Sequence, residues 1–151
     1  MDIWLKFLFV ACLISVPLSA SAAPPDSVLL IAEGSWELVP TDDPEYKDLE
    51  KLIRCGVEPL NVTINIKAKR YTSQFGDKKE INKADILEFG ENYIKIRYDN
   101  EERKMKNGKP QIWYMFFQSD DVFVWIMEDW VVDGEILGST PARRRCAAPL
   151  A

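Results

Sequence analysis

Gly34-Ser35-Trp36-Glu37-Leu38-Val39, stopped by Pro40, is the stretch on which the fold turns, and it reads as a first β-strand. Before it, residues 24–32 (PPDSVLLIA) form a short lead-in. After it, Thr41-Asp42-Asp43-Pro44 is a helix-start signal, a capping aspartate with proline at the first helical position. Tyr46, Leu49, Leu52 and Ile53 recur at three-to-four spacing and predict a short helix over 44–55, with Gly56 just past its end.

Beyond Pro59 the period changes from helical to two. Leu60, Val62, Ile64, Ile66 and Ala68 alternate with polar neighbours, as in a strand with one wet face. Residues 70–75 continue that strand or form a second one, and Gly76-Asp77-Lys78-Lys79 is a turn. Strands are expected at 84–89 and 93–98, joined through Gly90-Glu91-Asn92, and residues 99–110 read as a charged loop.

The last third is different. Residues 111–117 and 122–127 are apolar on both faces, separated by a turn at Ser119-Asp120-Asp121. Asp133-Gly134 between Val131-Val132 and Glu135-Ile136-Leu137 signals a hairpin with a two-residue turn of positive φ. Seven or eight short strands with one helix between the first two make an all-β chain. Such a meander closes most economically as an antiparallel up-and-down barrel, which removes exposed edges.

The first 23 residues read as an export signal. Lys6 gives the positive start, Phe7 to Val16 the apolar run, Pro17 the break, and Ser19 to Ala23 the small residues of a cleavage site. The run is shorter than the roughly 20 residues a membrane-spanning helix needs. The expected mature protein is therefore a single barrel domain over residues 24–151, exported without membrane insertion. Its place is the periplasm in a bacterium and the extracellular space otherwise. Cys12 leaves with the signal, and in an oxidising compartment Cys55 and Cys146 are expected to pair.

Composition narrows the activity. With 24 acidic against 19 basic residues the net charge is −5, which argues against nucleic acid as a partner. The chain has no histidine, the commonest general base and zinc ligand. No nucleophile elbow, phosphate loop or dinucleotide fingerprint is present. The acidic residues between Asp120 and Glu135 follow no calcium-loop spacing. No catalysis, metal or cofactor is expected.

Gly34-Ser35-Trp36 at the start of the first strand resembles the Gly-x-Trp hallmark of the calycins, the lipocalins and fatty-acid-binding proteins. The resemblance implies a barrel whose floor Trp36 closes, with an arginine from the end of the last strand packed across the indole. Arg143, Arg144 and Arg145 are the candidates. It implies a carrier of a small hydrophobic or amphipathic ligand, and a helix between the first two strands that lids or flanks the open end. Alternation alone nominates Tyr98, Tyr114, Phe116 and Trp125 as lining residues.

Since both faces of 111–117 and 122–127 cannot point inward, the outer one must be covered or form an interface with a second copy or another protein. The competing reading is a barrel filled by its own side chains that binds a protein, such as an inhibitor of a protease or lysozyme.

Overall fold

The computed structural model describes residues 26–147. The export signal assigned to residues 1–23 lies outside them. Helix α1 (Ser27–Ala32) precedes strand β1 (Gly34–Leu38), and α2 (Leu49–Leu52) separates it from β2 (Leu60–Asn65). There follow β3 (Arg70–Phe75), β4 (Asn82–Phe89), β5 (Tyr93–Tyr98), β6 (Trp113–Ser119) and β7 (Val122–Met127). A small hairpin of β8 (Val131–Val132) and β9 (Glu135–Ile136) precedes the last strand, β10 (Arg143–Arg145).

Eight of these strands form a closed antiparallel barrel in the order β1-β10-β7-β6-β5-β4-β3-β2, while β8 and β9 pair only with each other. The expected barrel is therefore present, and its geometry is consistent with a calycin-like fold. The eighth strand is the arginine-rich tail. Arg145, Arg144 and Arg143 pair with Trp36, Glu37 and Leu38, and β10 also pairs with β7, so three residues seal the seam.

Local sequence explains the departures from the expected elements. The alternation through Lys69 is cut by a turn at 66–69, where Lys69 takes φ of 50° and β3 begins as a separate strand. The helix expected over 44–55 is a single turn. Asp43 Oδ1 accepts from the Glu45 N–H at 3.0 Å, which holds the chain in turns before Leu49. Past Leu52, the Ile53 carbonyl accepts from Leu38 N–H and the Cys55 N–H donates to Glu37 Oε2, so these groups serve β1 instead of the helix. The lead-in contains a real helix, α1, whose Val28, Leu29 and Ala32 are buried. At the Asp133-Gly134 turn both residues have positive φ, 52° and 82°, as a two-residue hairpin requires.

The two ends of the barrel differ. At one end the connections are short (66–69, 90–92 and 120–121), and α1 packs across the opening. At the other end lie the long ones: 39–59, 99–112 and the hairpin-bearing 128–142. Cys55 and Cys146 are bonded, with Cα atoms 5.6 Å apart and 91 positions apart in sequence. The bond ties the β1–β2 connection to the residue following β10.

Candidate functional site

The closed end is built on Trp36, which is fully buried. Its Nε1–H donates to Ala32 O at 3.1 Å, Phe123 meets its ring edge-on at 4.8 Å, and the Arg145 guanidinium lies 4.3 Å from its centroid. Of the three candidate arginines, Arg145 is thus the one across the indole. Arg145 also donates to Glu33 O at 2.8 Å, Asp120 O at 2.9 Å, Ile31 O and Asp121 Oδ1. It fastens α1 and the β6–β7 turn to the floor. Gly34 explains the glycine of the motif: it sits at φ of +128°, and a Cβ there would come within 2.9 Å of Arg145 Nη1.

Register fixes which side chains enter the barrel. Trp36 pairs with Leu60, Leu60 with Phe75, Tyr71 with Ala84, Ala84 with Tyr98, Met115 with Trp125, and Phe123 with Arg143. Paired residues share a face, so Tyr98 and Trp125 project inward as expected. Tyr114 and Phe116 do not. Tyr114 pairs with Ile126 and Phe116 with Val124, and all four lie on the outer face. On β6 the interior belongs instead to Trp113, Met115 and Phe117. A one-residue parity choice in a strand apolar on both faces decides the matter, and alternation cannot make that choice.

The outer face of these strands is covered by the chain itself only in part, with Tyr114 and Phe116 half-buried. Val124 and Ile126 are buried, and no residue of 111–127 is among the strongly exposed large apolar side chains. Tyr114 is engaged locally, beside Tyr93 and under the Lys95 ammonium, which pairs with Glu128 at 2.8 Å.

At the open end the barrel holds a cavity of about 360 Å³. Leu60 and the aromatic side chains of Tyr46, Phe75, Tyr98, Trp113 and Trp125 give it apolar walls, and Ser73, Asn82, Thr140 and Arg143 supply polar groups. Tyr46 comes from the β1–β2 connection and Arg103 from the loop after β5. At the rim, Glu101 accepts from Trp113 Nε1 at 2.7 Å, and Arg103 lies over the Trp113 ring. Outside the mouth, a hollow of about 650 Å³ between 80–83 and 98–103 is walled mainly by charged and polar side chains.

The electrostatics of the cavity centre on Arg143. Its side chain is 8% exposed, and burial pushes its pKa below the ordinary value. Burial pushes the Tyr71 and Tyr98 hydroxyls upward, with the Arg143 charge pulling the other way. Both phenols therefore stay protonated at neutral pH, and a guanidinium keeps its charge in a protein even where burial lowers its pKa.

Compared with family models, curated proteins and solved structures, the chain finds no match. Assignment of a function therefore rests on the barrel and its contents. Among the described residues no group of three or more carboxylate or cysteine side chains could hold a metal ion, and no helix is long and apolar enough to cross a membrane. The residues that sequence reading passed over are Arg143 as a cavity group, Tyr46 and Trp113. Arg143 was detectable in principle: once Arg145 is set on Trp36, the residue two positions earlier on the strand must face inward as well.

Proposed function

We propose that the protein is an exported, lipocalin-like carrier that binds a small hydrophobic or amphipathic molecule inside its barrel and performs no catalysis. The observation that carries this reading is the cavity at the open end, walled by aromatic side chains above a floor sealed by Trp36 and Arg145. Its volume falls at the lower end of the roughly 300–1,000 Å³ range of small-molecule sites. An apolar body buried there gains about 0.8 kcal/mol per methylene. Tyr98 and Trp125 are lining residues in this reading, together with Trp113.

The test is native mass spectrometry of the oxidised protein taken from its own compartment, followed by organic extraction. Extra mass, released on denaturation and identified as a lipid or small metabolite, is the expected result. A clean mass, with no uptake of added amphiphiles, would overturn it.

A second reading is a protein-binding barrel, such as a protease or lysozyme inhibitor. Six exposed apolar side chains favour it: Leu49, Leu52 and Val57 on the β1–β2 connection, and Val132, Ile136 and Leu137 on the hairpin segment. Both connections leave the barrel at its open end. Recovery of a stoichiometric protein complex in the same spectra, with an empty barrel, would establish it.

A further inference from the structure

Ten large apolar side chains stand strongly exposed among the described residues, and six of them share two connections. Leu49, Leu52 and Val57 lie on 39–59, and Val132, Ile136 and Leu137 on 128–142. The other four are scattered over α1, β4 and two shorter connections.

The two connections are neighbours at the open end, because β1, β10 and β7 are adjacent in the barrel. Where they meet, the Val39 N–H donates to Ala142 O at 2.9 Å. Both are tied down. The disulfide fixes the end of the first, and in the second the Leu137 N–H donates to Trp130 O at 2.8 Å, closing the hairpin. β8 and β9 pair with each other and with no other strand. Apolar side chains held in place this way lose little freedom when a partner covers them.

Charge selects the partner. The two connections hold ten acidic residues against three basic ones, an excess of seven in a chain whose net charge is −5. The third long connection at the same end, 99–112, is close to balanced, with three acidic and four basic residues. The acidic excess therefore belongs to the segments that bear the apolar side chains. Asp42 and Asp48 pair with Lys47 and Lys51, whereas Asp43, Glu45, Asp133 and Glu135 are exposed and have no ion-pair partner among the described residues. A second copy would bring the same acidic surface against itself, and an anionic lipid surface is repelled in the same way.

We propose that the open end docks a cationic protein, whose exposed apolar groups meet the hairpin and the 49–57 stretch. The proposal rests on the protein-binding reading and adds the docking surface and the partner's charge. Ile136 and Leu137 are the apolar anchors, and the carboxylates around them steer and orient a basic surface.

The test places a photo-crosslinking side chain at Ile136 of the full chain, with Leu87 on β4 as the control position. Irradiation in the protein's own compartment is expected to give one discrete protein adduct from 136 and none from 87. The captured protein, identified by mass spectrometry, carries a net positive charge at neutral pH. It is then purified and titrated with the unaltered protein. Glu45→Lys with Glu135→Lys, and separately Leu137→Ser, should each weaken binding at least about tenfold. Glu91→Lys, at the closed end, should leave it unchanged, and added salt should weaken it.

Capture of a neutral or acidic protein would overturn the proposal and leave the protein-binding reading standing. So would binding that the charge reversal does not weaken. An adduct with a second copy or with lipid would overturn it in favour of that occupant. No adduct from 136, nor from a second crosslinker at Leu52, would overturn both the proposal and the protein-binding reading. Should the charge-reversed variant fail to fold, affinity of the unaltered protein that does not change with salt would overturn the proposal.

Discussion

Arg145 and Arg143 stand two residues apart on β10 and face the same way, yet they serve opposite ends of the barrel. Arg145 lies on an indole and donates to three backbone carbonyls and a carboxylate. Arg143 lies in a cavity, bonded to two neutral oxygens and, among the described residues, to no carboxylate. One end is saturated, and the other keeps hydrogen-bonding capacity in reserve. On the carrier reading, stability and binding are separated along one strand by a single pleat.

The largest effects should fall on the saturated end. Trp36→Ala removes the centrepiece of the floor and should cost about 3–5 kcal/mol, read by chemical denaturation. A loss under about 1 kcal/mol would mean that the floor is not what holds the barrel. Replacing Cys55 and Cys146 together by serine should cost about 4 kcal/mol, since the bond closes a loop of some ninety residues.

The sharpest comparison is one substitution at two sites. Arg145→Met removes the cation from the Trp36 ring and its bonds to three partly or fully exposed backbone carbonyls, and should destabilise the ligand-free protein by about 1–3 kcal/mol. Arg143→Met removes an uncompensated buried charge and should leave stability unchanged or raise it. Melting temperatures that fall equally in both variants would erase the distinction between the two ends. Gly34→Ala is expected to cost about 1–3 kcal/mol, because alanine is strained at that φ and crowds Arg145 Nη1.

The smallest effect is acid sensitivity on the outside of the barrel. The Arg144 guanidinium beside Glu37, and the Cys55 N–H, hold the Glu37 carboxyl below its usual range. Arg70 does the same for Asp85 and Asp99. Each group binds its proton more weakly folded than unfolded. Their contribution is therefore fully present above the unfolded values, about 4.3 for Glu and 3.9 for Asp, and disappears as pH falls through the lower folded values. Melting temperature should be flat from pH 7 to about 5 with respect to these groups and decline below. A rise on acidification would contradict the pairing.

Much of the fold could be read from the chain, for identifiable reasons. β5 and β7 fall where the sequence puts them, at 93–98 and 122–127, because each is entered through a short polar turn, 90–92 and 120–121. α1 was hidden because Ser-Val-Leu-Leu-Ile-Ala has no side-chain cap and is too short for a repeating stripe. β10 was hidden because three arginines show no apolar alternation; the strand is defined by its partners, β1 and β7. The site divided along the same lines. Tyr98 lies on an amphipathic strand whose polar face is plain. Tyr114 and Phe116 lie where both faces are apolar, since the outer face of β7 is itself buried. There composition carries no information about direction.

The seam between β1 and β10 has a consequence for how the molecule comes into being. Glu37 and Arg144, which face each other across it, are 107 positions apart in sequence. No local contact can nucleate that pairing, and closing so long a loop is among the slow steps of folding. Until residues 143–145 are in place, β1 and β7 each present an unsatisfied strand edge, open to a chaperone or to a neighbouring chain. Assembly must therefore wait for the arginine strand, and the link from Cys55 to Cys146, just beyond that strand, then acts as a latch on a door that shuts last.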